Sequence, residues 1–139
     1  MNTSRTIEQL EATPWPEPSP DATQLARRCH LLRRFPLCQL GTEDLRVLIG
    51  QEIALKHLMP IALGALRADP MLETEYYPGD LLCAAMSVQS SFWVSNREDL
   101  AQLAQLARQA QSFIASHEEP TRFRQVANDI SRFQKHGAA

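Results

Sequence analysis

The sequence predicts an all-α fold: a single compact helical domain over residues 1–139, built from about six helices, with an extended proline-rich arm at residues 14–20. Three observations carry this. Apolar residues recur at helical spacing in successive segments, no stretch alternates for long in the manner of a strand, and 5 glycines with 6% aromatic residues offer little to a sheet protein. A chain of 139 residues has one domain's worth of core.

Thr6-Ile7-Glu8-Gln9-Leu10-Glu11 reads as a short first helix. Pro14-Trp15-Pro16-Glu17-Pro18-Ser19-Pro20 must be extended, and Trp15 is read as an anchor that docks this arm on the helical body. The competing reading, a ligand for a proline-recognition domain, rests on composition alone. From Asp21 to Arg34, Ala22, Leu25, Ala26, Cys29 and Leu32 fall on one helical face, and Pro36 stops the helix. Thr42 is placed to cap the next helix, with Glu43 and Asp44 in its first turn and Leu45, Leu48, Ile49 and Ile53 on its buried face. The period runs on through Leu55, Leu58, Ala62 and Leu66, so Pro60, which lacks a backbone donor, predicts a kink or, as the favoured reading, a helix restart with Pro60 in the first turn.

Tyr77-Pro78-Gly79-Asp80 has the composition of a turn in which Pro78 sets the first central dihedral and Gly79 takes a positive φ, with Asp80 capping Leu81–Met86. Ser95 and Glu98 have capping-box spacing before a long helix through Leu100, Leu103, Ala107, Ala110 and Ile114. Phe123, Val126, Ile130 and Phe133 line a last amphipathic helix, and residues 136–139 read as a disordered end.

A net charge of −2 and a pI near 6.1 argue against a domain that neutralises phosphate, so no nucleic-acid partner is expected. The N-terminus has no signal-peptide core, and charges or prolines break every long apolar run, so a cytoplasmic chain without a membrane partner is expected. Cys29, Cys38 and Cys83 suit reduced, buried thiols. His30, His57, His117 and His136 lack metal-ligand spacing, and neither a nucleophile elbow nor a phosphate loop occurs. The residues therefore show no metal site and no catalytic motif, and catalysis by an unfamiliar constellation stays open.

The most informative charge feature lies between Asp69 and Asp80, where Glu73 and Glu75 join them to make four acids with no base, beside the tyrosines Tyr76 and Tyr77. Such a loop can dock on a basic protein surface, the acids steering encounter and the aromatics supplying contact area. The alternative leaves the glutamates merely solvated and puts one tyrosine in the core.

The chain resembles the immunity proteins of bacterial contact-dependent growth inhibition systems, in the helical group with a Tyr-Pro-Gly-Asp-Leu-Leu motif. The residues that carry the resemblance are Thr6–Glu11, Trp15-Pro16-Glu17-Pro18, Pro36-Leu37 with Leu40, and Glu43-Asp44-Leu45-Arg46 leading to Ile49-Gly50-Gln51. Leu55-Lys56, Leu58, Pro60, Ala62-Leu63, Asp69-Pro70 and Tyr77–Leu82 through Phe92-Trp93 complete it. Ala54 stands where the family pattern leads one to expect glycine, Met71 where leucine is usual, and the helical tail after Trp93 is not covered.

The resemblance implies a cytoplasmic, cofactor-free protein that binds one-to-one to the C-terminal toxin domain of a large secreted effector. Such toxins are frequently nucleases, whose basic substrate sites an acidic loop can cover. The motif residues Trp15, Pro60, Pro78, Gly79 and Asp80 are assigned to the fold, and toxin contact to Glu73, Glu75, Tyr76, Tyr77 and, less centrally, Glu52. A small acidic secretion chaperone holding an unfolded effector segment is the alternative, and a helical enzyme the third.

Overall fold

In the computed structural model, which describes residues 3–136, the chain forms eight α-helices and two 3-10 turns, with only isolated β-bridges. The helices are α1 Ile7–Glu11, α2 Gln24–Leu32, α3 Thr42–Gly50, α4 Leu55–Ala68, α5 Asp80–Met86, α6 Ser90–Val94, α7 Arg97–Ala115 and α8 Arg124–His136. Of the end expected to be disordered, His136 instead closes α8, and residues 137–139 lie outside the described residues. The sequence reading missed α6, whose five residues are poor helix formers; burial of Trp93, packed edge-to-face on Phe92 at 4.9 Å, accompanies it.

Helix α5 is the hub. It packs against α3, α4, α7 and α8, and six of its seven residues are buried, so a helix too short to be stable alone is apolar on nearly every side. Around it Leu48, Leu58, Leu63, Leu66, Leu103 and Ile130 contribute fully buried side chains to one hydrophobic cluster.

The break between α3 and α4 lies before Leu55, not at Pro60. Helix α3 ends in a Schellman motif: Glu52 has φ 57°, its N–H donates to the Ile49 carbonyl at 2.9 Å, and the Ile53 N–H donates to Leu48 at 2.9 Å. Ala54 is also left-handed, at φ 54°, and starts α4, which then runs unbroken through Pro60. Pro60 is exposed and removes one hydrogen bond to the Lys56 carbonyl, on a face that water reaches. Burial of Leu58, Met59, Ala62 and Leu63 on the opposite face holds the helix together across that loss.

Two cap assignments also change, and α2 starts later than Asp21. Gly41 precedes the first turn of α3, and the Asp44 carboxylate reaches back to accept from its N–H at 2.9 Å, so Thr42 is helical and not the cap. Asn96, not Ser95, stands at the cap of α7, and its amide donates to the Phe92 carbonyl at 2.7 Å, closing α6. Helix α2 starts at Gln24, where the Thr23 hydroxyl accepts from the Ala26 N–H at 3.0 Å.

The arm lies along α2. Segment 3–8 pairs with residues 33–38 through Glu8 N–H to Arg33, Leu37 N–H to Arg5 and Cys38 N–H to Thr3. The Arg33 guanidinium, 1% exposed, donates to the Glu11 carboxylate and the Thr13 carbonyl, and lies 4.2 Å from the centre of the Trp15 ring. Of the cysteines, Cys29 and Cys83 are buried, but Cys38 is exposed because the turn at Leu37–Gln39 buries Leu37 instead.

Ala54 carries the strain that a glycine lacks. Ala54→Gly should raise stability by up to about 1 kcal/mol in urea unfolding at unchanged m-value.

Candidate functional site

The loop from Asp69 to Gly79 connects α4 to α5, and a local ladder folds it back on itself. Glu73 bridges to Pro78, the Gly79 N–H donates to the Leu72 carbonyl at 3.2 Å, and the Asp80 N–H closes the Tyr77–Asp80 turn onto the Tyr77 carbonyl at 3.1 Å. Gly79, at φ 92° and ψ 5°, has the dihedrals of the second central residue of a type II turn. A β-carbon there would also lie 3.0 Å from a methyl of Val126 on α8. Glycine is thus required both by the turn and by the close approach of α8.

Asp80 is not the cap of α5. Gly79 occupies that position, and Asp80 is the first helical residue, 3% exposed, with its carboxylate turned back into the loop. It accepts hydrogen bonds from the Thr74 N–H at 2.9 Å, the Thr74 hydroxyl at 2.7 Å, the Glu75 N–H at 3.1 Å and the Tyr76 N–H at 3.0 Å. Burial pushes its pKa up, but these donors outweigh that effect and hold the carboxyl below its ordinary range. Its place at the N-terminus of α5 adds a favourable dipole.

The four acids of the segment have separate surroundings. Asp80 is buried, and Asp69 accepts from the Met71 N–H at 3.0 Å. Glu75 pairs with Arg46 of α3 at 2.9 Å and with Arg28 of α2 at 3.6 Å; Arg28 also pairs with Asp44 at 3.2 Å. Burial alone would lower the Arg28 pKa, but Asp44 and Glu75 hold it raised. Glu73 is exposed.

The two tyrosines diverge. Tyr76 is 67% exposed, its ring 4.6 Å from the Arg46 guanidinium carbon, a cation–π contact that orients an otherwise solvent-facing ring. Tyr77 packs against the core, and its hydroxyl accepts from the Gln125 amide of α8 at 3.1 Å. Burial, followed by the neighbouring Cys83, pushes the Tyr77 pKa up to about 12. Glu52 stands apart from this loop at the end of α3, where its carboxylate approaches the Gln89 N–H at 3.4 Å.

Glu73, Glu75 and Tyr76 are therefore exposed on one hydrogen-bonded loop, with Tyr77 packed against the core and Glu52 elsewhere. Sequence reasoning did not pair Arg28 and Arg46 with this loop. They lie 47 and 29 residues before Glu75, and no local spacing links them to it. Among the described residues no group of three or more His, Cys, Asp or Glu could hold a metal ion, and no helix is long and apolar enough to cross a membrane.

A family model of CDI immunity proteins matches residues 9–103, more than half of the 139-residue chain. The chain belongs to the CDI immunity protein family. As a CDI immunity protein it neutralises a toxin by binding its cognate partner. The match takes in the whole of α2 to α6 and the loop that Asp80 organises, reaches ten residues past Trp93 into α7, and stops before α8. No curated protein and no solved structure matches this CDI immunity protein.

Two outcomes test this geometry. Gly79→Ala should destabilise the fold by about 1–3 kcal/mol, through left-handed strain and overpacking against Val126, read as a lowered urea midpoint. Asp80→Asn should cost about 2 kcal/mol near neutral pH by weakening the charge-assisted bonds. Because the folded pKa of Asp80 lies below its unfolded value, its stabilisation is full above about pH 4 and is lost as pH falls through the folded value. The gap between wild type and Asp80→Asn in urea unfolding should therefore shrink from about pH 7 to about pH 3.

Proposed function

We infer that this immunity protein binds one-to-one to the C-terminal toxin domain of a large secreted effector, a nuclease, and covers its active site or substrate entry without catalysis or a cofactor. The bacterial cytoplasm is where it acts, and neither nucleic acid nor membrane is a partner. The observation that carries the site is the loop edge of Glu73, Glu75 and Tyr76: Thr74, Glu75 and Tyr76 fasten their backbone N–H groups to the Asp80 carboxylate, and Glu73 bridges to Pro78. A prefastened edge loses little conformational freedom on binding, which supports blocking a folded surface over cradling an unfolded segment.

Within that edge Glu73 meets a basic toxin surface, Tyr76 supplies contact area, and Glu75 acts partly through the arginines it holds. Tyr77 contributes by supporting the loop from beneath, and Glu52 lies at the periphery. Co-purification with the protein encoded immediately upstream, followed by assay of that protein's nuclease activity with and without this chain, tests the reading. Glu73→Lys should weaken binding by about tenfold while leaving helical content and melting unchanged. Undiminished affinity would remove Glu73 from the interface, and an upstream protein that neither binds nor is inhibited would overturn the function.

A further inference from the structure

One arginine reaches four residues of the segment 74–80. Arg46 stands on α3 between the buried Leu45 and Val47, α3 packs against α5, and the Arg46 side chain is only 16% exposed. Its Nε–H donates to the Thr74 hydroxyl at 3.1 Å, and that hydroxyl donates onward to the Asp80 carboxylate at 2.7 Å. Its Nη2 donates to the Glu75 carboxylate at 2.9 Å, its Nε lies 3.7 Å from the Asp80 carboxylate, and its guanidinium carbon lies 4.6 Å from the centre of the Tyr76 ring.

The division of labour with Asp80 is sharp. Asp80 holds Glu75 and Tyr76 by their backbone N–H groups, whereas Arg46 holds the Glu75 carboxylate and the face of the Tyr76 ring. Both side chains face solvent, and an exposed side chain that is not already oriented loses rotamer freedom when a partner fixes it. A guanidinium suits the task because its planar fork donates in two directions while its flat face stacks on a ring; an ammonium is a point charge and cannot do all three. Arg28 is a lesser support: its ion pair with Glu75 is 3.6 Å long, and its second partner is Asp44 of α3, outside the loop.

We propose that Arg46 is a positioning residue for toxin binding: from α3 it sets the direction of the Tyr76 ring and the Glu75 carboxylate, and so determines how they meet the toxin. The inference rests on the reading of this loop as the toxin contact and adds the residue, on another helix, on which its side chains depend. Arg46 already faces Glu75, Asp80 and Tyr76, so its effect on affinity passes through the loop and not through a carboxylate of the partner. Removing Arg46 and removing the Tyr76 ring then delete the same interaction, and their effects do not multiply.

The test uses the full chain and the toxin domain encoded upstream. Tyr76→Ala and Arg46→Met should each raise the Kd about tenfold, and in the Arg46→Met background Tyr76→Ala should add no more than about twofold. Arg67→Met removes the same charge from α4, where the guanidinium bonds Gln102, and should leave the Kd unchanged. Arg46→Lys keeps a cation beside Asp80, so it should hold the urea midpoint near that of the wild type yet bind as weakly as Arg46→Met, a result that lost folding does not produce. Full affinity in Arg46→Met, full rescue by Arg46→Lys, an equal loss in Arg67→Met, or multiplication of the two effects to about a hundredfold would each overturn the positioning role. Wild-type binding with Tyr76→Ala at full affinity would instead overturn the loop contact, and a wild-type chain that does not bind the upstream toxin would overturn the immunity reading; the positioning role falls with either.

Discussion

One buried carboxylate organises the loop between α4 and α5. Asp80 stands at the first turn of the central helix α5 and accepts four hydrogen bonds from Thr74, Glu75 and Tyr76, so the loop is fastened to the hub of the core. Burial of a charge is costly, and it is tolerated here because four donors of the loop are aimed at it, the Arg46 guanidinium lies 3.7 Å away and the helix N-terminus adds a favourable dipole. Gly79 makes this possible by turning the chain at φ 92° while leaving room for Val126. Position and rigidity of the exposed residues are therefore set by a residue that faces inward.

The charge of the face follows from that anchoring. Once Asp80 has drawn Thr74–Tyr76 inward, Glu75 lies where Arg46 and Arg28 can reach it, and Tyr76 lies over Arg46. A segment of four acids becomes a mosaic: one buried carboxylate, one paired with two arginines, one engaged with its own backbone and one exposed. Such a mosaic presents an ordered set of charges in place of a strong net potential, in keeping with a total charge of only −2.

Much of the scaffold was legible locally, but its punctuation was misread where tertiary burial outweighed a local signal. Pro60 is a strong breaker in sequence, yet the buried face of α4 carries the helix through it, and the real break falls at Glu52 and Ala54, two ordinary residues in left-handed conformations. Ala54, where the family pattern leads one to expect glycine, was the one visible sign of that break. Thr42, Ser95 and Asp80 all have cap chemistry, but neighbouring residues take the cap positions, because a cap depends on where the helix starts in three dimensions.

By itself the sequence determined the helical class, the approximate order of helices, the turn at Tyr77–Asp80 and the family resemblance, since each depends on periodicity or on motifs within a few residues. Only the tertiary structure decided what the acidic segment presents. The partners of Glu75 come from α2 and α3, and that of the Tyr77 hydroxyl from α8. Those contacts join residues up to 48 positions apart, and no local spacing encodes a meeting that the packing of the core brings about.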